Sequence, residues 1–257
     1  MKLLRKALII VYSIYALLVF VALTFIVLPF VIVASFFGKI KGGNFIYKVC
    51  RWWGFTWYFF IGIRHKNIYE SPPDPSAHYI FVANHISYMD IPPAVMAIKQ
   101  PLRVLGKYET SKIPVFGYIY SRAVVMVDRS SPERRAKSVR TLKSCLAKGI
   151  SIFIFPEGTF NETPAPLKEF FDGAFRIAIE TSTNIKPVLF IDTLERLHYK
   201  GLFNLTPGPT RAVFLDEVPV QGYTMKDINT LKQNVYNIMD AGLRRYRTYN
   251  NSLVTTG

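Results

Sequence analysis

The chain has 257 residues, half of them apolar, and its 32 lysines and arginines outnumber 17 acids to leave a net charge of +15. That length and apolar share allow one sizeable core with a smaller appended element. The charge asks for an anionic partner, which restricts the choice to nucleic acid or anionic lipid.

The front of the chain decides between them. The first seventy residues hold nine of the cations and a single acid, and from Ala7 to Phe37 there are 31 residues without any charge. Lipid is therefore expected, with no nucleic-acid partner. A helix of 31 residues measures roughly 46 Å against a hydrocarbon core of about 30 Å. Such a run is too long for a signal-peptide core and has no small-residue cleavage site at its end, so it is read as retained. Lys2, Arg5 and Lys6 precede it and Lys39 and Lys41 follow it. Cations at both ends favour a membrane-embedded helical hairpin over 1–43, with both ends cytoplasmic, ahead of one tilted span. Residues 44–63, "NFIYKVCRWWGFTWYFFIGI", place three tryptophans among several other rings and only two charges, the composition of an interfacial aromatic helix.

From residue 64 the texture changes. Short runs at 77–83, 102–105, 123–128, 150–155, 186–191 and 211–218 read as strands, several apolar enough to be buried on both faces. Helices are expected between and after them, at 92–99, 132–148, 172–182 and 225–246. Ser131 and Pro132 start the second as N-cap and first turn, and Gly149 ends it. The alternation predicts an α/β domain over 64–247, with a mixed, mostly parallel sheet flanked by helices, and a frayed tail at 248–257. Cys50 and Cys145 are too far apart in sequence to read as a metal pair, and His65, His78 and His198 have no ligand-like spacing, so no metal is expected.

Two strand exits carry chemistry. The first predicted strand runs into "VANHISYMDI" (82–91), which sets His85 on the turn at a strand's C-terminal end, where open α/β sheets hold their sites. Residues five apart on one helix point away from each other, so His85 and Asp90 meet only if the histidine precedes the helix. If they meet, the carboxylate fixes the imidazole tautomer and leaves one nitrogen free to take a proton. The alternative is that Asp90 caps the helix near Pro92 and His85 bonds a loop carbonyl. The second exit is "FPEGT" (155–159), which also places an acid and a glycine after a strand.

In these blocks the sequence resembles the glycerolipid acyltransferases that carry an NHxxxxD motif, most closely the bacterial 1-acylglycerol-3-phosphate acyltransferases. Asn84, His85 and Asp90 match the first block. "GKYETSKIPVFGYIYSRAVVMVDR" resembles the second, with Lys107, Pro114, Gly117 and Arg129 at its basic and glycine positions. Phe155, Pro156, Glu157, Gly158 and Thr159 match the third, and "IKPVLFI" with Pro187 resembles the fourth. The resemblance implies the glycerolipid acyltransferase fold and a membrane protein whose catalytic domain faces the cytoplasm. It implies transfer of a fatty acyl group from acyl carrier protein or coenzyme A, as co-substrate with no other cofactor, to a lysophospholipid hydroxyl. His85 would be the base and Asp90 its orienter. Lys107 and Arg129 would meet the acceptor's phosphate, and Glu157, with Gly158 and Thr159, would hold its glycerol or shape the loop. One departure bears on the acceptor: where the family often has arginine after the third block, this chain has Phe160. A lyso-aminolipid acceptor, such as an ornithine or glycine lipid precursor, thus stands beside lysophosphatidic acid. A membrane-anchored lipid-binding scaffold is the non-enzymatic alternative.

Overall fold

A computed structural model describes residues 2–128 and 131–254, with side chains at 3–128 and 131–247. Seven strands, β1 (Ile63–Tyr69), β2 (Ile80–Ala83), β3 (Leu102–Lys107), β4 (Val124–Val127), β5 (Ser151–Ile154), β6 (Ile185–Ile191) and β7 (Gly208–Phe214), form one sheet in the order β1-β7-β6-β2-β5-β3-β4. All pairs are parallel except β6 with β7. The three strands buried at every residue, β2, β5 and β6, lie side by side inside the sheet, as unbroken apolar runs require.

Alternation along these strands sorts the two layers. Ile80, Val82, Ile152 and Ile154 face one side, where Leu142 and Leu146 of α5 (Pro132–Leu146), Phe175 of α6 (Gly173–Thr181) and Leu231, Val235 and Met239 of α8 (Ile228–Val254) cover them. Phe81, Phe153, Phe190 and Phe214 face the other, against Tyr47 of α2 (Gly43–Phe60) and Ala94 of α3 (Ile91–Met96). Pro187 sits in an interior strand without breaking it. The antiparallel register moves by one residue between the Ile185–Val218 bridge and the Val188–Phe214 pair, and a bulge is where an interior proline fits.

Four expectations are corrected. Residues 2–35 form one helix, α1 (Lys2–Ser35), with Pro29 inside it, instead of a pair of short helices. The turn comes later, at a π-helical segment Gly38–Gly42, and the returning limb is the aromatic α2. α1 is the one described helix long and apolar enough to cross a membrane. β1 is a strand the sequence reading passed over, and the second motif block contains a helix, α4 (Phe116–Ala123), packed on the α1–α2 pair. The tail expected to fray continues as α8 to Val254, and residues 255–257 lie outside the described part.

The helical pair is joined to the domain by specific contacts. Phe20, Trp53, Trp57 and Phe116 form one ring cluster, and Trp57 Nε1 donates to Ala16 O at 2.9 Å. At the turn, the buried Arg103 of β3 donates to Lys39 O and Asn44 Oδ1, both at 3.0 Å. Gly43 leaves the space the guanidinium fills, since a Cβ there would collide with it. Arg103→Met removes the donors and strands those acceptors, so it should cost about 1–3 kcal/mol, read as a lowered thermal midpoint of the detergent-solubilised chain.

Candidate active site

β2 and β5 are neighbours, so their C-terminal exits open side by side. Asn84 leaves β2 with its side chain turned onto β6, accepting from Phe190 N at 2.8 Å and donating to Phe190 O at 3.0 Å. That pair fixes the strand end from which His85 projects. Ser87 then caps a 3-10 turn, Tyr88–Asp90, and Asp90 closes a reciprocal capping box with it.

The turn brings His85 and Asp90 together. His85 Nδ1 lies 2.9 Å from Asp90 Oδ2, and the same oxygen accepts from Ile86 N at 2.7 Å and Ser87 N at 2.8 Å. A carboxylate that accepts from Nδ1 makes Nδ1 the protonated nitrogen, which leaves Nε2 as an acceptor. Nε2 has no hydrogen-bond partner among the described residues. Asp90 makes no side-chain cap bond to the helix at Pro92, the alternative the sequence posed; its oxygen closes the turn before that helix and orients the imidazole. Phe155 stacks on the imidazole at 3.9 Å and Phe160 meets it edge-on at 4.4 Å, so the ring is held on its flanks. Ser87 is fully buried and its hydroxyl donates to Leu197 O at 2.6 Å, so it is a structural hydroxyl.

Glu157 is also fully buried. Its Oε1 accepts from His85 N and its Oε2 from Lys168 N, each at 2.8 Å. Both oxygens are thus taken by backbone, and of its two expected roles the carboxylate performs the shaping one. Gly158 turns the loop with φ +71°, a conformation that favours glycine. Phe171 N donates to Pro156 O, and Asn161 N donates to His85 O at 2.7 Å, so the segment after β5 wraps the histidine. Thr159 Oγ1 accepts from Lys168 Nζ at 2.5 Å.

Three further sequence candidates are Lys107, Pro187 and Arg129. Lys107 ends β3 with an exposed side chain, and Pro187 supports the sheet as described. Arg129 lies outside the described residues. Among the described residues no group of three or more His, Cys, Asp or Glu could hold a metal ion. The reading from sequence missed Phe160 as a wall of the histidine site and Lys168 altogether. The only signal for Lys168 was a lone lysine after the proline-rich stretch 164–166.

Comparison with known proteins places this geometry. The acyltransferase family profile matches residues 63–191, half of the chain, spanning β1 to β6 and both motif exits. The chain belongs to the acyltransferase family. Among relatives, it is 27% identical over 210 residues to a 1-acyl-sn-glycerol-3-phosphate acyltransferase of Haemophilus influenzae, covering 79% of this chain and 84% of that one. A protein of the same description from Chlamydomonas reinhardtii is 26% identical over 151 residues, 58% of this chain. The match spans less than half the length of that algal relative and of a chloroplastic one from Arabidopsis thaliana, at 45% and 42%. In structure, the chain resembles a 1-acyl-sn-glycerophosphate acyltransferase of Thermotoga maritima, with TM-score 0.71, 25% identity and coverage of 96% and 98% of the two chains.

Burial pushes the Glu157 carboxyl up from 4.5 to about 7, outweighing the two backbone N–H groups that favour its ionised form. A raised acid holds its proton more tightly when folded, so the contribution is fully present below about 4.5 and is lost as pH rises through about 7. Unfolding free energy of the chain should therefore fall by up to about 3 kcal/mol between pH 4.5 and 7.5 on this account. Glu157→Gln should flatten that slope in denaturant titrations across the same range.

Proposed function

We propose that this chain transfers a fatty acyl group from a thioester of acyl carrier protein or coenzyme A to the free hydroxyl of 1-acylglycerol 3-phosphate, giving phosphatidic acid. The observation that carries the reading is the His85 Nδ1 to Asp90 Oδ2 contact with Nε2 left free. Similarity to the 1-acylglycerol-3-phosphate acyltransferases of Haemophilus influenzae and Thermotoga maritima supports it. An alcohol is a poor nucleophile until its proton is removed. His85 Nε2 takes that proton as the acceptor oxygen attacks the thioester carbonyl, Asp90 stabilises the imidazolium, and the tetrahedral adduct expels the thiolate. The imidazolium then protonates the sulfur, which returns the base to its starting form without an acyl-enzyme.

Lys107 and Arg129 are the cations the motif resemblance assigns to the acceptor's phosphate. Phe160, in place of a cation after the third block, is the single observation favouring a lyso-aminolipid acceptor. The exposed apolar residues of α1, among them Leu4, Leu8, Val11 and Phe25, and those of α2, among them Trp52, Phe55 and Phe59, support a bilayer partner. Basic residues flanking both ends of the uncharged run favour the cytoplasmic face.

Purified full-length chain in detergent, assayed for thiol release over a panel of lysolipids, tests the reading. Thiol release should depend on the acceptor and be greatest with lysophosphatidic acid. His85→Ala should lower turnover about 10² to 10⁴-fold with the fold intact, and Asp90→Asn should lower it comparably or less. Near-normal turnover in a folded His85→Ala variant removes the base assignment. In membranes, the full-length chain should stay in the pellet after washes at high salt and at alkaline pH, since apolar burial is indifferent to charge screening. Release by salt alone would show a merely electrostatic attachment.

A further inference from the structure

The loop from 155 to 168 folds back on itself, and the fold-back delivers a cation to the histidine's side of the sheet. Lys168 is bound at two points. Its backbone N–H donates to Glu157 Oε2, while Glu157 Oε1 holds His85 N, so one rigid carboxylate separates the lysine from the base. Its ammonium reaches over the turn and donates to Thr159 Oγ1 at 2.5 Å.

A lysine ammonium has three donors and no acceptor. Thr159 takes one of them, and Lys168 forms no ion pair among the described residues. Its side chain is only partly exposed, so the charge is held at the loop and not spread through solvent. The residue that follows Thr159, Phe160, packs against His85 and Tyr88 and offers no donor. A positioned cation without an ion-pair partner, on the loop that wraps the base, is a site for an anion on the molecule that carries the alcohol. In 1-acylglycerol 3-phosphate only two carbons and an ester oxygen separate the reacting hydroxyl oxygen from phosphorus. The charged groups of coenzyme A or of a carrier protein lie at the far end of a pantetheine arm.

We infer that Lys168 binds the anionic headgroup of the acyl acceptor and determines its selection, supplying from the far limb of the loop the charge that Phe160 does not. The inference rests on the acceptor reading above. Its chemistry, an anion within reach of the hydroxyl, is shared by a phosphate and by the carboxylate of a lyso-aminolipid.

Full-length wild type, Lys168→Gln and Lys168→Arg should be compared in detergent with three acceptors: lysophosphatidic acid, a lyso-glycine lipid and uncharged monoacylglycerol. Lys168→Gln should lower kcat/KM for the preferred anionic acceptor about tenfold to a hundredfold, chiefly through KM, with the thioester KM unchanged. Lys168→Arg should restore most of the loss, and monoacylglycerol should be used equally by all three. An equal fall with monoacylglycerol would mean the variant had only disturbed the loop and would overturn the inference, as would an unchanged KM for every anionic acceptor. Binding of lysophosphatidic acid by His85→Ala, with and without Lys168→Gln, separates the two readings. Weaker binding on removal of Lys168 supports the inference even if wild type acylates only the glycine lipid, an outcome that discards the phosphate acceptor alone. Equal binding, with equal use of the glycine lipid, overturns it.

Discussion

A single buried carboxylate organises the site. Glu157 has no exposed surface, and its two oxygens accept the backbone N–H groups of His85 and Lys168. A charge removed from water costs several kcal/mol unless hydrogen bonds replace its hydration. Here two backbone N–H groups from two loops supply part of that replacement, less than burial takes away, and they bring loops leaving different strands to one carboxyl group. The histidine then needs little else: Asn84 fixes the strand behind it, Phe155 and Phe160 hold its faces, and Asp90 sets its tautomer. The two ring contacts, made by residues that follow β5, presuppose that the β2 and β5 exits are already tied together.

The helices beneath the sheet have a different constraint. α2 belongs to two layers at once: Tyr47 lies in the core beneath the sheet, and its hydroxyl donates to Ile98 O at 2.7 Å, whereas Trp53 and Trp57 pack on α1. The helix that covers the sheet therefore also packs on α1, with no linker between the sheet domain and the apolar helical pair. Leu205 N donates to Ser13 Oγ at 3.0 Å, which joins the segment before β7 to α1 as well. Orientation of the site relative to α1 is set by side-chain packing and hydrogen bonds on three separate elements.

Much of this was legible in the sequence where burial or motif spacing imposes a pattern. Six of the strands declared themselves by apolar runs, and the five-residue spacing of His85 and Asp90 correctly required a turn before the helix. β1 was not legible because it is an edge strand: Arg64, His65, Lys66 and Asn67 occupy its middle, and edge strands tolerate charge. The hairpin expected within 1–43 rested on cations at both ends of the apolar run, yet the chain stays helical from Lys2 to Ser35 and turns only at Gly38–Gly42, so both flanks are accounted for by a return through α2. Glu157 and Lys168 act through backbone hydrogen bonds and a loop fold-back, and neither leaves a periodicity in the chain.

The order of the strands has a consequence for how the domain comes into being. β1 follows directly on the apolar helical pair, yet its only neighbour is β7, paired from Ile63 with Gly208 onward. During synthesis the intervening strands can assemble among themselves, but β1 has no partner until the ribosome has passed the end of the sheet. Pairings between such distant segments form late and slowly. The growing chain thus carries an unpaired strand fastened to its most hydrophobic part through most of translation, so its most vulnerable intermediate is the one that ends just short of β7.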